Sequence, residues 1–213
     1  MASWVETHKP YETVSTAELR TGTVLRRIPF PATLLGFNRF ESRDDSGSTQ
    51  EVDFSTIQIG TEATRGDNVM IASGVIMTPD CDIFQHKCNA VTVAQIVDVE
   101  SYIKGNITKE ATAKQFRSDV LNASGSNPGA FNKAGLFLLP ASADMGLPDS
   151  LVLLGNHVSL PIEFSNDGGG FSVSEASIGK LENLWFRIRQ DLLRLRLINE
   201  FARQLLRIGL ADA

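Results

Sequence analysis

From Leu181 to Ile208 the chain runs without a glycine or proline, although 17 glycines and 8 prolines are scattered through the rest. Nothing in that stretch interrupts a backbone hydrogen-bond ladder. Its apolar residues fall at 181, 184, 185, 188, 192, 195, 198, 201, 202, 205 and 206, at steps dominated by three and four. That spacing predicts one long amphipathic helix, with Arg207 in its last turn and Gly209 as the stop residue. Phe186, Leu193 and Leu197 widen the apolar face beyond what one packed side needs.

The residues before 181 have another character. Ala32 to Phe40, Val52 to Ile59, Val69 to Met77, Val91 to Val99 and Leu136 to Leu139 read as strands, with Gly74 marking a bulge or a close backbone approach. Pro29 to Pro31 punctuates an element running from Thr16 to Arg27. Glu41 to Thr49 is polar and reads as a loop, and Arg65 to Asn68 as a turn. Thr108 to Leu121 is a helix capped by Thr108, the segment from Asn122 to Gly135 reads as a loop, and its Ser124 to Gly135 part is long enough to be a lid or simply disordered. Leu151 to Leu154 and Val158 to Phe164 read as a hairpin turning at Gly155-Asn156, with Pro161 placing the second strand at a sheet edge. Asn166 to Gly170 is the sharpest composition break and reads as a hinge. The expected organisation is a β-rich unit over 1–165, a Gly-rich hinge over 166–172 and a helix over 173–213. The expected fold is α+β: a bent antiparallel sheet, or a partly open barrel of the SH3-like kind, with one inserted helix and a long C-terminal helix.

With 42% hydrophobic and 21% charged residues, a chain of 213 residues can bury a sizeable core, which excludes wholesale disorder. No apolar run reaches the roughly 20 residues of a membrane-spanning helix. The first 13 residues lack the basic-then-apolar pattern of a secretory signal. Two cysteines exclude a disulfide scaffold, so the expected compartment is the reducing cytoplasm. Net charge is −5, which argues against a nucleic-acid coat built on bulk charge.

Chemistry-bearing residues concentrate in Thr78-Pro79-Asp80-Cys81-Asp82-Ile83-Phe84-Gln85-His86-Lys87-Cys88, at the end of an apolar strand. Cys81 is a candidate nucleophile if His86 or His157 acts as its base; Asp80 and Asp82 disfavour its thiolate, although either can orient a histidine. Cys81, His86, Cys88 and His157 also suit zinc by ligand type, although the spacing C-x4-H-x-C is not a standard zinc motif. Asp80 and Asp82 can take a hard cation by themselves. The plain alternative is structural, with Cys81 as a small buried hydrophobe and Asp82 satisfying turn donors. No metal site is assigned. The chain has no phosphate loop and no Ser-centred nucleophile elbow. Its two glycosylation sequons, at Asn106 and Asn122, carry no weight in the cytoplasm.

Thr78 to Ile83 resembles the S/T-x-x-C-D-hydrophobic signature of a family of uncharacterised bacterial proteins. The resemblance continues through Asn132-Lys133-Ala134-Gly135-Leu136-Phe137-Leu138-Leu139-Pro140. It closes with an F-A-R-x3-R-x-G-L element at Phe201 to Leu210, so that it spans residues 66 to 210 in short ordered pieces. It implies an accessory component of phage-defence and mobile gene islands. It points to Cys81 and Asp82 without assigning a reaction, and it does not demand His86 or Cys88.

Lys180 to Arg207 carries seven basic and three acidic residues, so the helix is +4 and the rest of the chain −9. Arg203 and Arg207 share a face one turn apart. They can hold a carboxylate or phosphate, or tie the helix to Asp80 or Asp82. The surplus apolar face, including Leu195 and Phe201, suits a protein partner or a second copy. Membrane surface and nucleic acid rank lower, because acidic residues interrupt the basic face. Two functions follow. The preferred one is a binding or regulatory subunit of a bacterial defence or conflict system, acting by protein–protein contact. The other is a Cys81-dependent hydrolase or nuclease-like toxin.

Overall fold

A computed structural model describes residues 4–13, 20–31, 41–43, 49–51, 69–85, 87–131, 133, 135–161, 164–167, 170–173, 184–189 and 191–211. The helices are α1 (Trp4–His8), α2 (Asp80–Phe84), α3 (Val99–Asn106), α4 (Glu110–Ser126) and α5 (Asp191–Ala211). The strands are β1 (Tyr11–Thr13), β2 (Thr23–Pro31), β3 (Glu41–Arg43), β4 (Thr49–Glu51), β5 (Val69–Ile76), β6 (Ala90–Asp98), β7 (Leu136–Leu139), β8 (Ser150–Pro161), β9 (Phe164–Asp167), β10 (Gly170–Val173) and β11 (Leu184–Ile188).

Seven strands form one antiparallel sheet in the order β1-β11-β2-β5-β6-β8-β7, curled into a half-barrel beside the C-terminal helix. The fold is α+β, as the sequence predicts. No helix among the described residues is long and apolar enough to cross a membrane.

Period-two alternation sorts side chains onto the two faces. On β6, Ala94 and Ile96 point to the core under α5, where Leu193, Leu197 and Phe201 are buried with Val24, Val75 and Phe186. Val91 and Val93 point the other way, into a core with Leu25, Ile28, Phe30 and Ile83. Farther along that second face, α3 and α4 bury Ile103, Phe116 and Val120 against Leu138, Leu151 and Leu153. Gln95 lies on this face between the two apolar groups, 1% exposed. Asn156 donates to its Oε1 at 2.5 Å, satisfying a polar group that is costly to bury alone. Gly74 is a close approach: a Cβ there would stand 2.5 Å from Val93 and 2.8 Å from Phe30.

Several local expectations are corrected. Pro29 and Pro31 lie inside β2, paired with Ile71 and Val69 of β5. Residues two apart direct their N–H groups to the same side, and β11 pairs only with Thr23 to Leu25. The missing proline donors therefore fall on a side of β2 without a described strand neighbour. One extra residue between Leu25 and Ile28 makes a bulge at Arg27, which takes φ +60°. The ends of the expected 41–49 loop are the arms of a β3–β4 hairpin.

Gly155-Asn156 is not a hairpin turn. Gln95 pairs with Leu153 and the adjacent Ala94 with His157, so 154–156 bulge out of one continuous strand β8. β7 pairs only with Ser150 to Leu153, so among the described residues the half of β8 carrying Pro161 has no neighbour on that side, the edge position that Pro161 suggests. Asn166, Asp167 and Gly170, read as a hinge, lie in the arms of the β9–β10 hairpin.

The inserted helical segment is two helices. α3 is capped by Asp98, whose side chain accepts from Ser101 N–H at 2.8 Å. α4 starts at Glu110 with Lys109, not Thr108, at its N-cap, and runs on to Ser126. The long C-terminal pattern divides into strand β11 and helix α5. In Leu184-Trp185-Phe186-Arg187-Ile188 alternation also fits, and the tertiary edge offered by β1 and β2 selects the strand. α5 continues through Gly209 to Ala211, so that glycine does not stop it. The expected strands at 32–40 and 52–59 and the turn at 65–68 lie outside the described residues.

Candidate functional site

The Cys81 corner is built from the end of β5. Pro79, with φ −58° and ψ 142°, turns the chain out of the extended state and precedes the single turn α2. Thr78 fixes the turn from both sides. Its Oγ1 accepts from Thr92 N–H at 2.7 Å, and its carbonyl accepts from Thr21 Oγ1 at 2.6 Å. Asp80 Oδ1 accepts from Thr21 N–H at 2.6 Å, and its Oδ2 lies 3.6 Å from Arg194 Nη1 on α5. Arg194 lies against Gly22, which has φ +81° and where an added Cβ would stand 3.2 Å from its Cδ. The corner is thus bonded to the turn before β2, to β6 and to α5.

Asp80 therefore holds structure together. The expected tie between the helix and the corner exists, but it runs from Arg194. Arg203 instead pairs with Glu200 at 2.8 Å. Arg207 lies in α5, with its side chain outside the described residues.

Cys81 is exposed and Cys88 half-buried, so the alternative in which Cys81 is a small buried hydrophobe does not hold. The Cys81 thiol sits 3.6 Å from Asp82 Oδ1, and the Cys88 thiol 3.5 Å from the Asp82 carbonyl. Burial, followed by the charge of Asp82, pushes the Cys88 thiol up from its ordinary range. Less of the Cys88 thiol is therefore present as the nucleophilic thiolate.

Of the proposed catalytic set, the described residues keep Cys81 beside Asp82 and place His157 elsewhere. His157 points to the α5 face, where its ring meets Phe201 edge-on at 5.4 Å. α2 is anchored on the opposite face through Ile83. His157 Nδ1 is buried without a hydrogen-bond partner among the described residues. His86 lies outside the described residues. Among the described residues, no group of three or more His, Cys, Asp and Glu side chains is arranged to hold a metal ion.

On α5, Leu193, Leu197 and Phe201 are buried, but Leu195 is 54% and Leu205 45% exposed. Phe201, read as a contact residue, belongs to the chain's own core. Ile198 is half-buried and Ala202 exposed. Leu195, Ile198, Ala202 and Leu205 follow steps of three, four and three, the spacing of a coiled-coil seam. This uncovered stripe adjoins the buried one.

Sequence reading missed a second cluster on the far flank of α5. Arg196 Nη1 donates to Asn127 Oδ1 at 3.0 Å, beside Gly129 in the short 3-10 turn Pro128–Ala130. Seven basic residues on one helical stretch hid which of them is held in place. The glycine in the loop facing it was the available signal. No known protein family matches the chain, and no curated protein or solved structure matches it either.

Proposed function

We propose that the chain is a binding or regulatory subunit that works by protein–protein contact through the uncovered stripe of α5. The carrying observation is that Leu195 and Leu205 remain about half exposed on a helix whose other apolar side is already buried. Covering each stabilises a complex by on the order of 1 kcal/mol, and the seam spacing suits a partner helix. The resemblance at Thr78 to Ile83 and Phe201 to Leu210 makes a bacterial defence or conflict system the proposed setting.

The test is co-purification with the product of a neighbouring gene. Leu195→Asp with Leu205→Asp should abolish the complex while leaving Tm nearly unchanged, because both side chains are exposed. Phe201→Ala should cost about 3–5 kcal/mol of fold stability instead. If the double aspartate variant keeps its partner, the stripe is not the contact.

The second reading, a Cys81-dependent enzyme, is favoured by one observation: the thiol is exposed on a corner bonded to three parts of the fold. Its mark would be loss of a measurable activity on alkylation of Cys81 with the fold intact.

A further inference from the structure

Two cavities flank Arg196. One, of about 330 Å³, is walled by Trp4, His8 and Leu193. The other, of about 230 Å³, lies toward Phe131, Asn199 and Arg203. Gly129 and Arg196 line both.

Arg196 is held in place. Its guanidinium lies across Gly129, where any Cβ would collide with it. It also donates to Asn127 Oδ1, an oxygen that accepts from Gly129 N–H as well. Among the described residues no carboxylate approaches Arg196 within 4.0 Å, whereas Arg203, Arg194, Arg187 and Arg117 are each matched to one. An exposed guanidinium positioned by Asn127, with no counter-charge among the described residues, is suited to an oxyanion, which it meets with forked hydrogen bonds.

The larger cavity supplies a ring platform. Trp4 and His8 stack at 4.6 Å with 14° between their planes, and His8 is exposed. The ring pair and Arg196 line the same cavity, so one molecule can set a flat ring against the pair and an anion on Arg196. In the smaller cavity Glu200 stands beside Arg203, and its charge disfavours a long polyphosphate there.

We infer that the groove under α5, with Arg196 at its centre, binds a nucleoside monophosphate, the phosphate on Arg196 and the base on the Trp4–His8 pair. An acidic peptide would satisfy Arg196 equally, but it gives no role to the stacked rings. This site is separate from the exposed stripe on the other flank of α5.

Isothermal titration of the full chain with AMP, GMP, CMP and UMP tests it, with inorganic phosphate, the parent nucleosides and a glutamate-rich peptide as comparisons. Saturable binding of at least one monophosphate is expected, weakened at least about tenfold by Arg196→Ala and unchanged by Arg189→Ala. Gly129→Ala, which displaces the guanidinium, should weaken it as well. His8→Ala should weaken the nucleotide but not inorganic phosphate. If Arg196→Ala does not fold, Arg196→Lys, which keeps charge without the fork, should show the same loss. The inference is overturned if no monophosphate binds below about 1 mM. It is equally overturned if the Arg196 variants bind as the native chain does, if inorganic phosphate binds as tightly as the nucleotides, or if only the peptide binds.

Discussion

Tyr11 joins the edge of the sheet to the loop after β7, its hydroxyl donating to the Pro140 carbonyl at 2.8 Å. Burial, with the nearby charge of Asp149, holds the phenol well above its ordinary value of 10.0. The raised value fixes the sign of the pH effect. Below the ordinary value both states keep the proton and the stabilisation is complete. As pH rises past it, the unfolded chain ionises first, and stability falls until the folded value is passed. Tyr11→Phe should cost about 1 kcal/mol near neutrality, the worth of one hydrogen bond, and should flatten the alkaline arm of a stability–pH curve. The two thiols give a second residue-scale test. With iodoacetamide at mild pH, mass spectrometry should find Cys81 modified well before Cys88, because Cys88 is less exposed and its thiol is pushed up. Equal rates would contradict that account. Single residues were legible where their chemistry forces geometry. Gly74 stood out in an apolar run, and it sits where backbone and side chains crowd. Arg196 did not stand out, because its importance depends on Asn127 and Gly129, distant in sequence.

Elements were legible where one periodicity ruled. β5 and β6 follow from β-branched runs, and β7 from a short apolar run that Pro140 stops. β11 does not, because Leu184 to Ile188 satisfies both spacings and only the waiting edges of β1 and β2 decide. Gly155-Asn156 carries ordinary turn chemistry, yet Asn156 is drawn into the sheet by Gln95, and the chain continues as β8. α3 was missed because its start lies in Asp98, a residue that ends β6 and caps the helix at once. Burial raises the Asp98 carboxyl, and the hydrogen bonds from Ser101 outweigh it, leaving the group below its ordinary range. A lowered carboxyl stabilises above its unfolded value, and that contribution is lost as pH falls through the folded one. Asp98→Ala should cost about 1 kcal/mol at neutral pH and much less in acid, read from urea denaturation at the two pH values.

At the scale of the molecule, the sheet order was beyond sequence reading. No local signal shows that β11, from the far end of the chain, inserts between β1 and β2. That placement makes the helix segment inseparable from the strands. A chain ending before Leu184 loses β11 together with Leu193, Leu197 and Phe201 from the core under α5. It should be largely unfolded by circular dichroism and rapidly cut by protease, and a stably folded truncation would contradict the topology.

The same insertion sets an order of events during synthesis. Tyr11 pairs with Ile188 and Thr13 with Phe186, so the first strand leaves the ribosome long before its neighbour exists. Until that neighbour emerges, the outer edge of β2 stays open, guarded beyond Leu25 by prolines that offer a passing strand no donors. The nascent sheet must wait for Leu184–Ile188, and its assembly is gated by the emergence of that one strand.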